Sequence, residues 1–259
     1  MTVQQIYDQI DLFAPFDTQV DDDNSGLIIG SSSQEVNTVL FALDVTDAVI
    51  DEALSLGAGL IITHHPLMFQ PVHSMTDEDY EGRLIRRLVH ENISLIAAHT
   101  NLDQACGGVN DILAGLCGLR GCKGEGFFRC GYLPEPETAR SYADRLKELL
   151  HTEVRLMGPP SAVIQKVGLC SGGGSSEWKA AVDSGCDAFI SGEIRHHHAL
   201  AIADSGMVGL ECGHFATEEP GIRALAAALQ NRMNTVKYNL RFYLSGVSAY
   251  SFPGSRGRR

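Results

Sequence analysis

The sequence is poor in long apolar runs and in positive charge. No stretch of its 259 residues approaches the ~20 apolar residues of a membrane-spanning helix, and the first seven residues lack the features of a secretory signal. Lys and Arg number 20 against 32 Asp and Glu, so the formal net charge is −12. This charge argues against diffuse attraction to an anionic membrane or a long nucleic acid. We therefore predict a cytoplasmic protein with neither partner.

Paired cysteines are also missing. The seven cysteines are scattered and odd in number. Cys117, Cys122 and Cys130 come closest to a cluster, but they lack the paired short turns that hold zinc in a zinc ribbon. We interpret the cysteines as reduced thiols with a mostly structural role.

Apolar strand-like runs alternate with amphipathic segments in a chain that is 44% hydrophobic and 20% charged. We predict helices near residues 3–10, 46–56, 81–92, 137–151, 177–184 and 217–232. We predict strands at residues 27–29, 39–43, 60–62, 93–98, 167–170, 188–190, 208–210 and 238–244. This alternation is typical of βαβ units and predicts an α/β fold, with helices packed on mixed sheets.

Two parts of the chain resemble each other in order and spacing. Residues 39–63 and 167–191 each contain an apolar strand, a helix and a second apolar strand. The first copy leads into His64 and His65, and the second leads into Gly192 and Glu193. A duplicated βαβ unit would place these polar residues at the carboxyl ends of equivalent strands, where open α/β sheets bind ligands.

Four polar clusters directly follow apolar strands and contain seven of the ten histidines. They span residues 63–66, 98–103, 192–198 and 212–219. A single histidine after a strand is usually a hydrogen-bonded loop residue, and His196–His198 also fits an exposed helix face. Four clusters with imidazoles, three of them with carboxylates, nevertheless favour a metal site. This ligand mixture suits zinc, manganese, iron or nickel.

The spacing of the ligands favours two metal ions. His64 and His65 are adjacent, so in an extended chain their side chains project to opposite sides and serve different metals. His214 and Glu218 are four residues apart at the start of a helix that we expect Thr217 to cap. One carboxylate can bridge two cations held ~3.5–4 Å apart, which can share a hydroxide.

Several motifs resemble those of the Nif-three-like family, whose members are also called GTP cyclohydrolase I type 2 homologues. The motifs are Asp23-Asn24-Ser25-Gly26-Leu27, Leu43-Asp44-Val45-Thr46, Thr63-His64-His65-Pro66-Leu67-Met68-Phe69, His99-Thr100-Asn101-Leu102-Asp103 and Gly213-His214-Phe215-Ala216-Thr217-Glu218. The resemblance implies a dinuclear centre in which His65 and Asp103 hold one metal and His64 and His214 hold the other. Glu218 would bridge both, and the chain would form a toroidal homohexamer.

The resemblance also implies two similar α/β lobes around a central metal cleft. We assign residues 1–125 and 210–259 to the first lobe, which carries most ligands, and residues 126–209 to the second. The chain has the length of the short form, without an extra inserted domain. Residues 238–259 depart from the family's usual ending, but no expected ligand lies there.

The expected function is that of a metal-dependent hydrolase acting on a small nucleotide, as in the GTP cyclohydrolase homologues. His99 and Glu193 are catalytic candidates for proton transfer or for orienting the metal ligands, although each also fits a structural hydrogen bond. The glycine run 172–174 lacks the Gly-Lys-Thr of a P-loop and fits a plain turn. Two alternatives remain open: a non-catalytic metal-binding ring or regulatory scaffold, and a metal-dependent phosphoesterase.

Overall fold

The computed structural model of the chain describes residues 1–235 and 240–248. These residues form a mixture of helices and strands. The elements up to residue 104 are α1 (Val3–Asp11), β1 (Gly26–Ile29), β2 (Thr38–Ala42), α2 (Asp47–Leu56), β3 (Leu60–Thr63), α3 (Tyr80–His90), β4 (Ser94–Ala97) and α4 (Thr100–Gln104). They are followed by α5 (Val109–Leu116), β5 (Arg120–Lys123), β6 (Arg129–Thr138), α6 (Ala139–Leu150), β7 (Arg155–Met157) and β8 (Val163–Cys170). The remaining elements are α7 (Trp178–Asp183), β9 (Ala188–Ser191), α8 (His196–Asp204), β10 (Val208–Glu211), α9 (His214–Thr235) and β11 (Arg241–Leu244).

The chain divides into two compact units, and the prediction of an α/β fold is confirmed. Among the described residues, unit 1 consists of residues 1–106 and 222–248, and unit 2 consists of residues 107–221. The sequence assigned residues 107–125 and 210–221 to the first lobe, but the contacts group them with unit 2. The reason is local: β5 pairs with β6, and Leu113 of α5 lies in the core of unit 2.

Unit 1 is built on a mixed sheet. In the described part of the chain its strand order is β1-β4-β3-β2-β11, with β1 antiparallel to β4 and the other pairs parallel. Strands β2, β3 and β4 are buried along their whole length, as expected for parallel strands with helices on both faces. Register places Ala42, Thr63 and Ala97 side by side, so these three strands end at one edge of the sheet.

Local capping sets the ends of the helix that joins β2 to β3. Helix α2 begins after Thr46, whose side chain accepts a hydrogen bond from the Val49 backbone N–H. It ends at Gly57, where the chain turns through a left-handed conformation that glycine adopts without a steric penalty. The cap at Thr46 and the turn at Gly57 fix the length of the helix that connects β2 to β3. A helical crossover of this kind allows the two strands to pair in parallel.

Unit 2 repeats this arrangement. In the described residues its sheet has the order β5-β6-β8-β9-β10-β7, in which β8, β9 and β10 are parallel and β7 is antiparallel to β10. Cys170, Ser191 and Glu211 share one register line, as Ala42, Thr63 and Ala97 do in unit 1. The predicted internal repeat is thus confirmed: β7, β8, β9 and β10 of unit 2 correspond in order and direction to β1, β2, β3 and β4 of unit 1.

Several elements differ from the predictions. The hairpin of β5 and β6, the strand β7 and the helices α4, α5 and α8 were not predicted, and α9 begins at His214 rather than at Thr217. The closing strand, predicted over residues 238–244, is observed as β11, while residues 238 and 239 lie outside the described residues. Among the described residues no helix combines the length and the apolar character that crossing a membrane requires.

Candidate metal centre

The polar cluster of unit 1 lies where its three central parallel strands end. The His65 backbone N–H donates to the Leu43 carbonyl at 3.0 Å, and the Ala98 N–H donates to the Thr63 carbonyl at 2.8 Å. These bonds extend the β2–β3 and β3–β4 pairing by one step. The residues that follow β3 and β4 are therefore fixed next to each other by backbone hydrogen bonds, as the sequence predicted.

Three imidazoles form one group at this edge. His64, His65 and His99 each offer a ring nitrogen, and these atoms all lie within 4.8 Å of one another. The ring centroids of His64 and His65 are 5.0 Å apart, so the expectation that the two side chains project to opposite sides is wrong. The chain turns directly after β3, where the Thr63 hydroxyl donates to the His65 carbonyl at 2.8 Å, and the turn brings both rings together.

Each of these imidazoles is held in one tautomer by an oxygen that can only accept. The bonds are His64 Nδ1 to the Ala98 carbonyl (2.9 Å), His65 Nδ1 to Asp44 Oδ1 (2.7 Å) and His99 Nδ1 to Asp23 Oδ1 (2.7 Å). Because carbonyl and carboxylate oxygens accept, Nδ1 carries the proton in every case. The neutral ring then offers its lone pair at Nε2, which is the arrangement found in metal-ligating histidines.

The carboxylate behind His99 is shielded from solvent. Only 2% of the Asp23 side chain is exposed, and it accepts hydrogen bonds from His99, the Ser25 hydroxyl (2.9 Å) and both the backbone N–H (3.1 Å) and the hydroxyl of Thr100. Burial acts to raise the pKa of Asp23, but the hydrogen bonds from His99 and Thr100 together hold this pKa below its ordinary value. Asp23 is therefore a fixed anion that orients His99.

Asp103 faces the buried imidazole of His64. Helix α4 places Asp103 Oδ1 3.5 Å from His64 Nε2, the nitrogen that carries a lone pair in the neutral ring. Two electron-rich atoms this close in a buried place need a cation, either a proton on the imidazole or a metal ion. The residues therefore fit a metal. The resemblance implied His65 as the partner of Asp103, whereas the contact in the structure is with His64.

The corresponding strands of unit 2 end in the same way. The Glu193 backbone N–H donates to the Gly172 carbonyl at 2.8 Å, and the Gly213 N–H donates to the Gly192 carbonyl at 2.9 Å. The backbone N–H of Gly172 in turn donates to the Thr217 hydroxyl at 3.0 Å. The residues that follow β8, β9 and β10 thus meet beside the first turn of α9.

His214 and Glu218 form the ligand pair of unit 2. His214 Nδ1 donates to Glu193 Oε1 at 3.1 Å, and His214 Nε2 lies 3.0 Å from Glu218 Oε2. The pair has the pattern of unit 1: Nδ1 is held by an oxygen, and Nε2 faces a carboxylate. The structure therefore places Glu193, predicted as a proton-transfer or orienting residue, behind His214.

Helix α9, which carries His214 and Glu218, begins earlier than predicted. Because α9 begins at His214, Thr217 lies inside the first turn and is not the cap. Its hydroxyl donates to the His214 carbonyl at 2.9 Å and accepts from Gly172. Thr217 instead joins α9 to the loop after β8.

The triple histidine lies apart from these ligand groups. His196–His198 opens α8, and His198 Nδ1 is 2.9 Å from the hydroxyl of Ser175. The rings of His197 and His198 are in contact, with their centroids 4.2 Å apart. Within the part of the chain that the structure describes, none of the three joins a group of three or more possible metal ligands. Their interpretation as a helix face is the simpler one.

Gly172 leaves no room for a side chain beside the ligand pair. Its φ is +53°, and a Cβ there would overlap Glu218 Oε1 and lie 3.2 Å from His214 Nε2. We expect Gly172→Ala to push the carboxylate aside and to weaken metal binding by roughly 10- to 100-fold, the range seen when ligand orientation is lost. Competition with a chromogenic chelator measures this affinity.

Gly185→Ala is the matched control for that variant. Gly185 has a φ of +66°, and a Cβ there would meet no atom within 4 Å. It therefore reproduces the backbone strain of a left-handed alanine without the overlap. Equal metal affinities for the two variants would contradict the effect expected from the overlap with Glu218.

Sequence reasoning missed the two carboxylates that orient the imidazoles of unit 1. Asp23 and Asp44 both lie in motifs that carried the family resemblance, but no role was assigned to either. Their signal was an acidic residue in a turn at the edge of an apolar strand. Such residues are common, so the partner imidazole cannot be recognised before the fold is known.

The chain is similar to one protein family over almost its whole length. Residues 1–249 match the Duf34/NIF3 (NGG1p interacting factor 3) family. A "GTP cyclohydrolase 1 type 2 homolog" of Streptomyces coelicolor is 32% identical over 94% of this chain and 90% of its own length. A protein of the same description from Clostridium acetobutylicum is 28% identical over 97% of this chain and 99% of its own length.

A solved structure has the same fold. The crystal structure of a Bacillus cereus protein related to NIF3 superimposes with a TM-score of 0.93 and covers 98% of this chain and 99% of its own. The two sequences are 22% identical, so this likeness speaks for the fold alone. The arrangement of both sheets is thus shared with a protein of distant sequence.

Proposed function

Because this chain belongs to the Duf34/NIF3 family, we propose that it is a metal-dependent hydrolase with a dinuclear centre that acts on a small nucleotide. One observation carries the proposal. Four imidazoles, His64, His65, His99 and His214, each donate from Nδ1 to an oxygen and so offer Nε2 as a lone pair. A ring held at Nδ1 by an oxygen, with Nε2 turned to the other side, is the arrangement in which metal-ligating histidines are commonly oriented.

We propose the following ligands for the two metals. His64 and Asp103, which lie 3.5 Å apart, would hold one metal. His65 and His214 would hold the second. Glu218, whose carboxylate lies next to His214, would serve both metals. Zinc, iron, manganese and nickel all suit this mixture of imidazole and carboxylate. With so few protein ligands, each ion would keep open positions, as in catalytic sites.

Bound divalent ions would acidify a water molecule and stabilise negative charge on oxygen near neutral pH. The residues of the chain supply the remaining functions. His99, oriented by Asp23, accepts a hydrogen bond at Nε2 from a water or substrate hydroxyl beside His64 and His65. Glu193 fixes the orientation of the His214 ring. Asp44 does the same for His65.

The relatives and the charge support this choice of substrate class. Relatives in Streptomyces coelicolor and Clostridium acetobutylicum are described as homologues of a GTP cyclohydrolase, which makes GTP the first substrate to test. The net charge of −12 disfavours a long polyanion more than a single nucleotide, whose few phosphates the metals can neutralise. A small nucleotide is therefore preferred over a nucleic acid.

Substrate turnover tests this proposal. The purified chain, stripped with chelator and reloaded with each first-row metal, would be incubated with GTP, other nucleotides, nitrophenyl phosphoesters and amides. We expect metal-dependent consumption of a nucleotide and at least a 100-fold loss in His99→Ala, because general acid–base groups contribute about that much. His90→Ala, at the exposed end of α3, is the control.

Each other outcome assigns a different function. Release of nitrophenol from the phosphoesters without consumption of a nucleotide would make the chain a phosphoesterase. Tight metal binding with no turnover of any substrate would contradict the hydrolase and favour a metal-binding ring or scaffold. We also propose the homohexamer of the resemblance as the assembled form, and light scattering of the metal-loaded chain gives the subunit number directly.

A further inference from the structure

Phe69 is a half-exposed aromatic ring beside the imidazole group of unit 1. Its ring centroid lies 5.4 Å from that of His99 at an interplanar angle of 84°, and 6.4 Å from that of His65 at 47°. Despite these contacts, 49% of the residue is exposed. A large apolar side chain thus borders the proposed centre and still presents surface to solvent.

The backbone before Phe69 is held on two sides. Leu67 is buried in the core of unit 1, and the Asn24 side chain donates to the Met68 carbonyl at 2.8 Å. These contacts limit where Phe69 can move. Its ring is therefore presented at a defined place next to His99. Met75, further along the same segment, is 59% exposed.

We propose that Phe69 is a specificity-determining residue, whose exposed surface stacks on the planar heteroaromatic ring of the substrate. The proposal rests on the proposed function, because it places the base of a nucleotide next to the centre that acts on it. Planar bases stack on aromatic side chains whichever hydrogen-bond donors and acceptors the base carries. A ring that only shielded the imidazoles would not distinguish a ligand with a base from one without.

A matched pair of ligands separates these two roles. Guanosine 5′-monophosphate and ribose 5-phosphate share a sugar and a phosphate and differ in the base. We expect the metal-loaded chain to bind the nucleotide more tightly and Phe69→Leu to weaken this binding on the order of 10-fold. Binding of ribose 5-phosphate should not change. Phe69→Trp should retain the preference, and Met75→Leu should match the wild type. Calorimetric titration measures all of these constants.

Metal content, measured on the same samples, keeps this inference separate from the proposed function. If Phe69→Leu retains the metal of the wild type and binds both ligands as the wild type does, the stacking role is overturned while the metal centre stands. A wild type that binds both ligands equally, or neither, also overturns it. Absence of metal from the wild type would instead contradict the proposed function.

Discussion

Glu218→Gln is expected to reduce the bound metal from about two ions per chain to nearly none, because the bridging position serves both ions. The amide keeps the shape of the side chain and removes its charge. His214 Nε2, 3.0 Å away, would lose its share of the cation as well. Elemental analysis of protein purified without chelator measures this loss.

Two further variants grade the result. Asp103→Asn should remove about one ion, since we assign Asp103 to a single metal together with His64. Glu219→Gln changes the neighbouring carboxylate on the same helix turn and should leave the metal content unchanged. A Glu218→Gln protein that keeps two ions would contradict the bridging role, and equal losses in the Glu218 and Glu219 variants would indicate a general effect of charge.

Asp23→Asn is expected to lower the free energy of unfolding by about 3 kcal/mol, as happens when one partner of a buried charged network is removed. The Asp23 carboxylate accepts from His99, Ser25 and Thr100, and an amide nitrogen in its place would oppose these donors. Urea unfolding with chelator present measures the effect without a contribution from lost metal.

The difference in stability between the wild type and Asp23→Asn depends on pH, because the pKa of Asp23 is lowered in the folded chain. Above the unfolded pKa of about 3.9, the carboxylate is ionised in both the folded and the unfolded state, so its contribution to the free energy of unfolding is fully present. As the pH falls below about 4, the unfolded state takes up the proton first and the contribution declines. The difference in the free energy of unfolding between the wild type and Asp23→Asn should therefore become smaller in acid.

Asp22→Asn is the control for both measurements, because Asp22 is the exposed neighbour of Asp23. Its free energy of unfolding should lie within about 0.5 kcal/mol of the wild type. If Asp23→Asn is no less stable than Asp22→Asn, the buried carboxylate does not stabilise unit 1 in the way its hydrogen bonds indicate.

The repeated architecture could be predicted because its signal is local. Continuous apolar runs such as residues 39–43 and 60–62 are typical of buried parallel strands, and the turns between them fix their order. The similar spacing of residues 39–63 and 167–191 predicted that the two segments are equivalent. In the structure Ala42 pairs with Thr63, and Cys170 pairs with Ser191 in the same way. The edge that carries the polar clusters followed from strand direction alone.

The direction of the site side chains could not be predicted in the same way. His64 and His65 were expected to diverge, and they converge because of a turn closed by the Thr63 hydroxyl. The oxygen that orients His99 belongs to Asp23, 76 positions earlier in the chain. Contacts of this range depend on the finished packing of the unit, which periodicity does not encode.

The hairpin of β5 and β6 had no sequence signal of its own. All four residues of β5 are exposed, so the strand lacks the apolar pattern by which strands are recognised. It pairs with β6, which in turn pairs with β8 in the sheet of unit 2. The boundary between the units was misplaced for the same reason, since this hairpin ties residues 120–123 to unit 2.

Anomalous scattering from crystals of the metal-loaded chain tests the dinuclear centre most directly. Data recorded on both sides of the absorption edge of the bound metal locate each ion without reference to activity. We predict two peaks per chain ~3.5–4 Å apart, one within bonding distance of His64 and Asp103, the other of His65 and His214, with Glu218 touching both. A single peak, or peaks away from these residues, would contradict the account.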